Sequence, residues 1–173
     1  MDGITNAIWQ DMVNNPPDDG VPTHITLGID PGAKGAFAWV TGDGHLIEVA
    51  DMPFVNVRGK DRVSAQGVAH LMRKRPVSLV VIEGVGAMPK QGVASCFAFG
   101  YAAGILEGSA SGLGIPVQIT PAAVWKRKAG VPADKGAARQ AAIRFWPGAE
   151  AQFKHVKDDG RAEAALLARW AAL

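Results

Sequence analysis

The sequence predicts an α/β fold: one five-stranded mixed sheet, made of an antiparallel three-strand meander plus two parallel strands, flanked by helices. Three observations carry this. Residues 24–30 alternate between aliphatic and small or polar side chains, the period of a half-buried strand. Residues 77–82 form a short unbroken apolar run, the pattern of a parallel strand covered on both faces. Helical patterns separate the later strands, and the resulting order β-β-β-α-β-α-β-α-α calls for a mixed sheet with helices on its faces.

In the first strand Ile25, Leu27 and Ile29 share one face and Thr26, Gly28 and Asp30 the other, so Asp30 points away from the aliphatic row. Pro31-Gly32-Ala33-Lys34-Gly35 makes a turn, 36–41 a second strand, Gly42-Asp43-Gly44 a hairpin turn and 46–52 a third strand. A helix over 64–75 has Ser64 as N-cap, Val68, Leu71 and Met72 facing inward and Pro76 as terminator. Its basic end, Arg73-Lys74-Arg75, suits the negative pole of the helix dipole. Glu83 stands at the carboxyl end of the apolar run. A helix over 95–111, a strand over 115–119, a helix over 134–145 and a last helix over 160–171 complete the order. The 95–111 helix spaces Gly100, Gly104 and Gly108 four apart. Each costs about 1 kcal/mol relative to Ala in a helix interior, and close backbone approach, to the chain's own sheet or to a partner subunit, is the expected compensation.

With 173 residues, 48% of them hydrophobic and 20% charged, the chain has the balance of one globular domain rather than of a disordered segment. Gly, Ser or charged residues interrupt the apolar stretches before the roughly 18 to 20 residues of a membrane span, so no membrane partner is expected. Residues 1–22 lack the basic start and apolar segment of a signal peptide, and the run from Asn14 to Gly20 reads as flexible. The expected organisation is therefore a tail over 1–22 and a domain over 23–173. A single cysteine, Cys96, leaves no internal disulfide and fits a reducing, cytoplasmic compartment. The net charge of +2 does not by itself mark a nucleic-acid binder, because an acidic site beside a basic surface sums to near zero.

If the strand ending at Glu83 lies parallel beside the first strand, Asp30 and Glu83 meet near the carboxyl ends of neighbouring strands, where ligands of open α/β sheets collect. Carboxylates gathered this closely repel one another unless a divalent cation neutralises them. Mg²⁺, a hard ion that prefers oxygen ligands, is the natural occupant. Asp158-Asp159-Gly160-Arg161-Ala162-Glu163 opens the last helix, and Asp159 and Glu163, four apart, share a helical face. The competing structural reading makes Asp30 a turn former, Glu83 a solvated strand end and Asp158 or Asp159 an N-cap.

Four segments now carry a resemblance: Gly28-Ile29-Asp30-Pro31-Gly32 with Gly35; Val80-Val81-Ile82-Glu83; Thr120-Pro121-Ala122-Ala123-Val124-Trp125-Lys126 followed by Asp134-Lys135; and Asp158-Asp159-Gly160-Arg161-Ala162-Glu163-Ala164. In order and spacing the chain, from about Thr23 onward, resembles the RuvC-type Holliday junction resolvases, specifically the compact bacteriophage-like branch of that family within the ribonuclease H-like superfamily. The resemblance implies that Asp30 and Glu83 are metal-binding catalytic carboxylates. The family's remaining acids commonly stand as Asp-x-x-Asp at the start of the last helix. Here the spacing is altered, so Asp158, Asp159 and Glu163 are all candidates, with Glu163 favoured together with Asp158 or Asp159; His155 is a further candidate near this helix. The resemblance also implies two Mg²⁺ ions per site with Mn²⁺ as substitute, branched DNA as substrate, and a homodimer suited to two symmetrically placed cuts.

Two ions let one activate a water while the other stabilises the departing 3′-oxygen, with no nucleophilic side chain needed. No Ser-His-Asp or Cys-His arrangement offers itself. Lys126, Arg127 and Lys128 follow Trp125, and Lys135, Arg139 and Arg144 lie on the next helix. Of these, Lys126, Lys135 and Arg139 are the expected DNA contacts, against the alternative that the helix merely presents a solvated basic face. Arg58, Lys60 and Arg62 are read as a Gly-containing loop, and Lys90 as part of another. Trp39, Trp125, Trp146 and Trp170 are read as core. The competing functions are another nuclease of the same superfamily acting on RNA/DNA hybrids, flaps or forks, and a non-catalytic DNA-binding module. An actin-like ATPase needs a second phosphate loop and a second domain that this length does not supply.

Overall fold

The computed structural model describes residues 24–32, 34–84, 86, 92–132, 134 and 136–173. The expected tail over 1–22, and Lys90 and Lys135, lie outside the described residues. In chain order the described elements are β1 (Ile25–Asp30), β2 (Ala36–Thr41), β3 (Leu46–Asp51), β4 (Phe54–Val57), β5 (Lys60–Val63), α1 (Ala65–Arg73), β6 (Leu79–Gly84), α2 (Val93–Gly112), β7 (Val117–Pro121), α3 (Ala122–Ala129), α4 (Ala137–Phe145) and α5 (Asp159–Ala172). Two 3₁₀ turns, Pro147–Gln152 and Val156–Asp158, lead into α5.

Five strands make one sheet in the order β3-β2-β1-β6-β7. β1, β2 and β3 pair antiparallel, while β6 pairs parallel with both β1 and β7, as the meander and the apolar run predicted. Helices cover both faces. On one side Ile25, Leu27 and Ile29 pack with Phe37, Trp39, Val80 and Ile82 against Val68 and Met72 of α1 and Leu106 and Ala110 of α2. On the other, Ala36, Ala38, Val40 and Val81 meet Trp125 of α3 and the alanine-rich faces of α4 and α5. Ser64 caps α1, its hydroxyl accepting the Gly67 N–H at 3.1 Å.

The first strand departs from the half-buried expectation, because its Thr26-Gly28 face is also covered. A Cβ on Gly28 would lie 2.7 Å from Ala168 N and 2.8 Å from Ala168 Cβ, and would run into the Ala164 carbonyl. Gly28, Ala164 and Ala168 are small so that α5 can lie directly on the central strand. This contact brings the acids of α5 to the end of β1.

Two elements go beyond the sequence reading. The segment carrying Arg58, Lys60 and Arg62 is a β-hairpin, with Phe54 paired to Val63 and Val57 to Lys60. Its tip, Arg58-Gly59, has φ of 52° and 78°; two left-handed residues in a row make a tight hairpin turn. Asn56 Oδ1 accepts the Gly59 N–H there. The turn hid because arginine, unlike Asn, Asp or Gly, seldom takes its first position. The second is α3, which starts directly at Pro121 and stops at Gly130 with φ 66°, the left-handed conformation typical of a helix C-terminus.

α2 also differs from expectation. By length and composition it is apolar enough to cross a membrane, although its Ala102, Leu106 and Ala110 are packed on the sheet. Its glycines do not serve that packing, for a Cβ on Gly100, Gly104 or Gly108 would meet nothing within 4 Å among the described residues. Val93 and Phe97 are also exposed on this helix.

Candidate active site

The parallel register of β1 and β6 sets Ile29 opposite Ile82, so the next residue in each strand, Asp30 and Glu83, stand side by side at the carboxyl ends. Both project to the α5 side, since Ile29 and Ile82 belong to the opposite core. The turn after β1 folds back tightly: Gly35 N–H donates to Gly32 O at 2.8 Å, and Gly32 N–H donates to Asp30 Oδ1 at 2.9 Å. From above, α5 brings its first turn down on this corner, where a Cβ on Gly160 would lie 2.8 Å from Asp30 Oδ2.

Glu163, one turn further along α5, faces both strand carboxylates, and the charges act on one another. Burial pushes the Asp30 carboxyl up to about 6; the Gly32 N–H opposes this, Glu163 and then Glu83 add to it, and Lys126 works against it. Burial also raises Glu83, opposed by a hydrogen bond from Trp125, with Glu163 adding to the rise. The bond runs from Trp125 Nε1 to Glu83 Oε2 at 2.8 Å, and the adjacent Lys126 Nζ reaches Glu163 Oε1 at 2.6 Å. α3 thus holds two of the three acids. The helix and its role escaped the sequence reading, though Pro121 and Gly130 bracketing an alanine-rich octapeptide were the available signal.

The other predicted acids are placed differently. Asp158 is buried, 2% exposed, and its Oδ2 accepts the His155 N–H at 2.9 Å, bracing the 3₁₀ turn before α5. Asp159 is turned to Arg139, whose Nε lies 2.6 Å from Oδ1. His155 is exposed. Two cations expected at DNA are therefore engaged with acids: Lys126 with Glu163, and Arg139 with Asp159 and with the Lys154 carbonyl. Arg161 anchors the same helix start by a two-pronged pair to Asp51 at the end of β3, at 2.6 and 2.7 Å; it holds the Asp51 carboxyl below its ordinary range.

Among the described residues no three His, Cys, Asp or Glu side chains are gathered into a ready-made metal ligand set. Asp30, Glu83 and Glu163 instead form an open ring, with Gly32, Trp125 and Lys126 each holding one oxygen. The donor chemistry fits a hard divalent cation: every free donor is a carboxylate oxygen. The mutual repulsion that helps raise Asp30 is what such an ion removes.

No protein-family model matches the chain. It is 27% identical over 171 residues to the chloroplastic Holliday junction resolvase MOC1 of Chlamydomonas reinhardtii; the match takes in 95% of this chain and 19% of that protein, so the chain spans about a fifth of its relative. Among solved structures it is similar to Thermus thermophilus RuvC (TM-score 0.59, 17% identity, 85% of this chain and 95% of that one). It is similar also to T. thermophilus RuvC in complex with Holliday junction substrate (TM-score 0.58, 16% identity, 85% and 91%). The fold is that of the RuvC nucleases, the ribonuclease H-like fold.

Proposed function

We propose that this protein is a divalent-metal-dependent endonuclease that hydrolyses phosphodiester bonds at four-way DNA junctions. The observation that carries the reading is the meeting of Asp30, Glu83 and Glu163 at the carboxyl ends of β1 and β6, in a fold shared with RuvC. The similarity to a MOC1 resolvase and to a RuvC bound to a Holliday junction supports the junction as substrate. Asp30, Glu83 and Glu163 would hold Mg²⁺ or Mn²⁺. Asp159, one turn before Glu163 on the same helix, is the acid that a second ion would draw from Arg139, and Asp158 braces the helix start. When bound, two such ions supply an activated water and a stabilised leaving oxygen. The chain's own residues orient the acids and exclude water from the apolar floor beneath them. The hairpin cations Arg58 and Lys60 are exposed and, among the described residues, form no ion pair, while the exposed Arg62 lies over the Tyr101 ring with its guanidinium carbon 5.5 Å from the centroid; this hairpin is the surface we assign to the DNA backbone.

The test is nicking of a synthetic four-way junction, compared with duplex, flap and RNA/DNA hybrid, in Mg²⁺, in Mn²⁺ and in EDTA. Preferential cutting of the junction that EDTA abolishes is the expected result. Equal cutting of all substrates would remove the junction selectivity, and cutting undiminished by EDTA would overturn the metal dependence.

A homodimer follows from the same reading, because a junction is resolved by two paired cuts. The open glycine face of α2 is the surface we assign to it: glycines let two helix backbones approach closely, and Phe97 and Val93 beside them are apolar. Gly104→Trp is expected to turn a dimer into a monomer by analytical ultracentrifugation. A wild type that sediments as a monomer at micromolar concentration would refute the assignment.

A further inference from the structure

Two indole N–H groups are buried on opposite sides of this sheet, and their circumstances differ. Trp39, fully buried in the α1–α2 side of the core, has no hydrogen-bond partner for Nε1 among the described residues. Trp125, equally buried on the α4–α5 side, donates to Glu83 at 2.8 Å. Trp39 demonstrates that this core retains a tryptophan for its ring alone. Packing therefore does not explain why the Trp125 N–H is aimed at an acid of the active site.

We infer that Trp125 is a positioning residue for metal binding: its N–H fixes the rotamer of Glu83, leaving that carboxylate's remaining lone pairs turned toward Asp30 and Glu163. This rests on reading those acids as a metal site. An ionised carboxylate offers about four lone-pair directions; the indole takes one and leaves the others for an ion. Indole suits the task because it donates only and carries no charge, so it orients the acid without neutralising it. Lys126, by contrast, brings to Glu163 a charge that competes with a cation. Glu83 unrestrained has three rotatable bonds whose freedom would be lost when an ion binds; ordering it beforehand strengthens binding. The donor is itself rigid, its ring enclosed by the core around Val81, Val131, Ala138 and Ala141.

The experiment is calorimetric titration of Mn²⁺ into metal-free protein without DNA. It compares wild type, Trp125→Phe, and protein carrying benzothienylalanine at position 125, which keeps the shape of the ring with sulfur in place of N–H. Loss of an outer partner of a metal ligand typically weakens affinity about 10- to 100-fold, so both variants should bind Mn²⁺ about tenfold or more weakly. Junction nicking should need correspondingly more Mn²⁺, with the rate at saturating metal largely kept. A purely structural role would lower the melting temperature and leave Mn²⁺ affinity, measured well below it, unchanged. If Trp125→Phe does not fold, the benzothienylalanine protein decides. Unchanged Mn²⁺ affinity in a folded variant overturns the inference, as does a wild type that binds no Mn²⁺. A wild type that binds Mn²⁺ but cuts no DNA would refute the nuclease reading and leave this one standing.

Discussion

Asp30→Asn is expected to abolish metal-dependent nicking, by on the order of a thousandfold or more, and at the same time to make the metal-free protein more stable at neutral pH. The two effects share one cause. Burial, with Glu163 and Glu83 adding, raises the Asp30 carboxyl from 3.8 to about 6, so the folded chain holds this proton more tightly than the unfolded chain does. Between about pH 4 and pH 6 the native state binds more protons, and its stability falls as pH rises through that window. Above about pH 6 the full cost of the ionised group is present, about 3 kcal/mol at most. Asparagine keeps an oxygen to accept the Gly32 N–H but carries no charge. In EDTA at pH 7.5 the variant should therefore melt several degrees above wild type, at about 2 to 4 °C per kcal/mol for a chain of this size. Near pH 4 the difference should vanish. Mg²⁺ should raise the melting temperature of wild type and do little for the variant. Equal melting of the two proteins across this pH range, or nicking retained by the variant, would contradict the role given to Asp30.

The second large effect is at Gly28. Its substitution by Ala adds one methyl group at a place where the Ala164 carbonyl, Ala168 N and Ala168 Cβ already occupy the space. Two of the three obstacles are helix backbone, which no rotamer change can move. α5 must lift from β1, losing the packing of Ala164, Leu167 and Ala168 on the sheet. A loss of about 3 kcal/mol or more is expected, a fall in melting temperature of roughly 6 to 12 °C. Because Glu163 rides on the same helix, the surviving folded protein should also bind Mn²⁺ more weakly. Melting and Mn²⁺ titration at low temperature separate the two consequences. A variant with wild-type stability would mean that α5 does not sit as closely on β1 as described.

Both predictions use residues that local pattern already singled out, and they mark how far such pattern reaches. The alternation of residues 25–30 and the apolar run ending at Ile82 were enough to place Asp30 and Glu83 at the ends of two strands, and the parallel pairing of those strands makes them neighbours. The reason is that strand periodicity and burial on two faces are written in consecutive residues. Ser64 likewise announced its helix, since a cap acts within one turn. Local pattern mistook the coverage of β1, because what covers its Thr26-Gly28 face is a helix more than 130 positions later in the chain.

The acids of α5 show the boundary most sharply. Asp158, Asp159 and Glu163 share one short segment and one charge, and their order along the chain does not tell them apart. Their partners do: Asp158 turns to the His155 N–H, Asp159 to Arg139, and Glu163 to Lys126 opposite Asp30 and Glu83. Trp125 followed the same rule, legible as a core residue and illegible as the donor to Glu83 across 42 positions. By itself the sequence determined the five strands of the main sheet, their order along the chain and the two carboxylates they carry, because those depend on periodicity within each segment. Only the tertiary structure decided which acid of the last helix joins them and which side chains hold the ring in place, because those choices depend on distances between segments far apart in the chain.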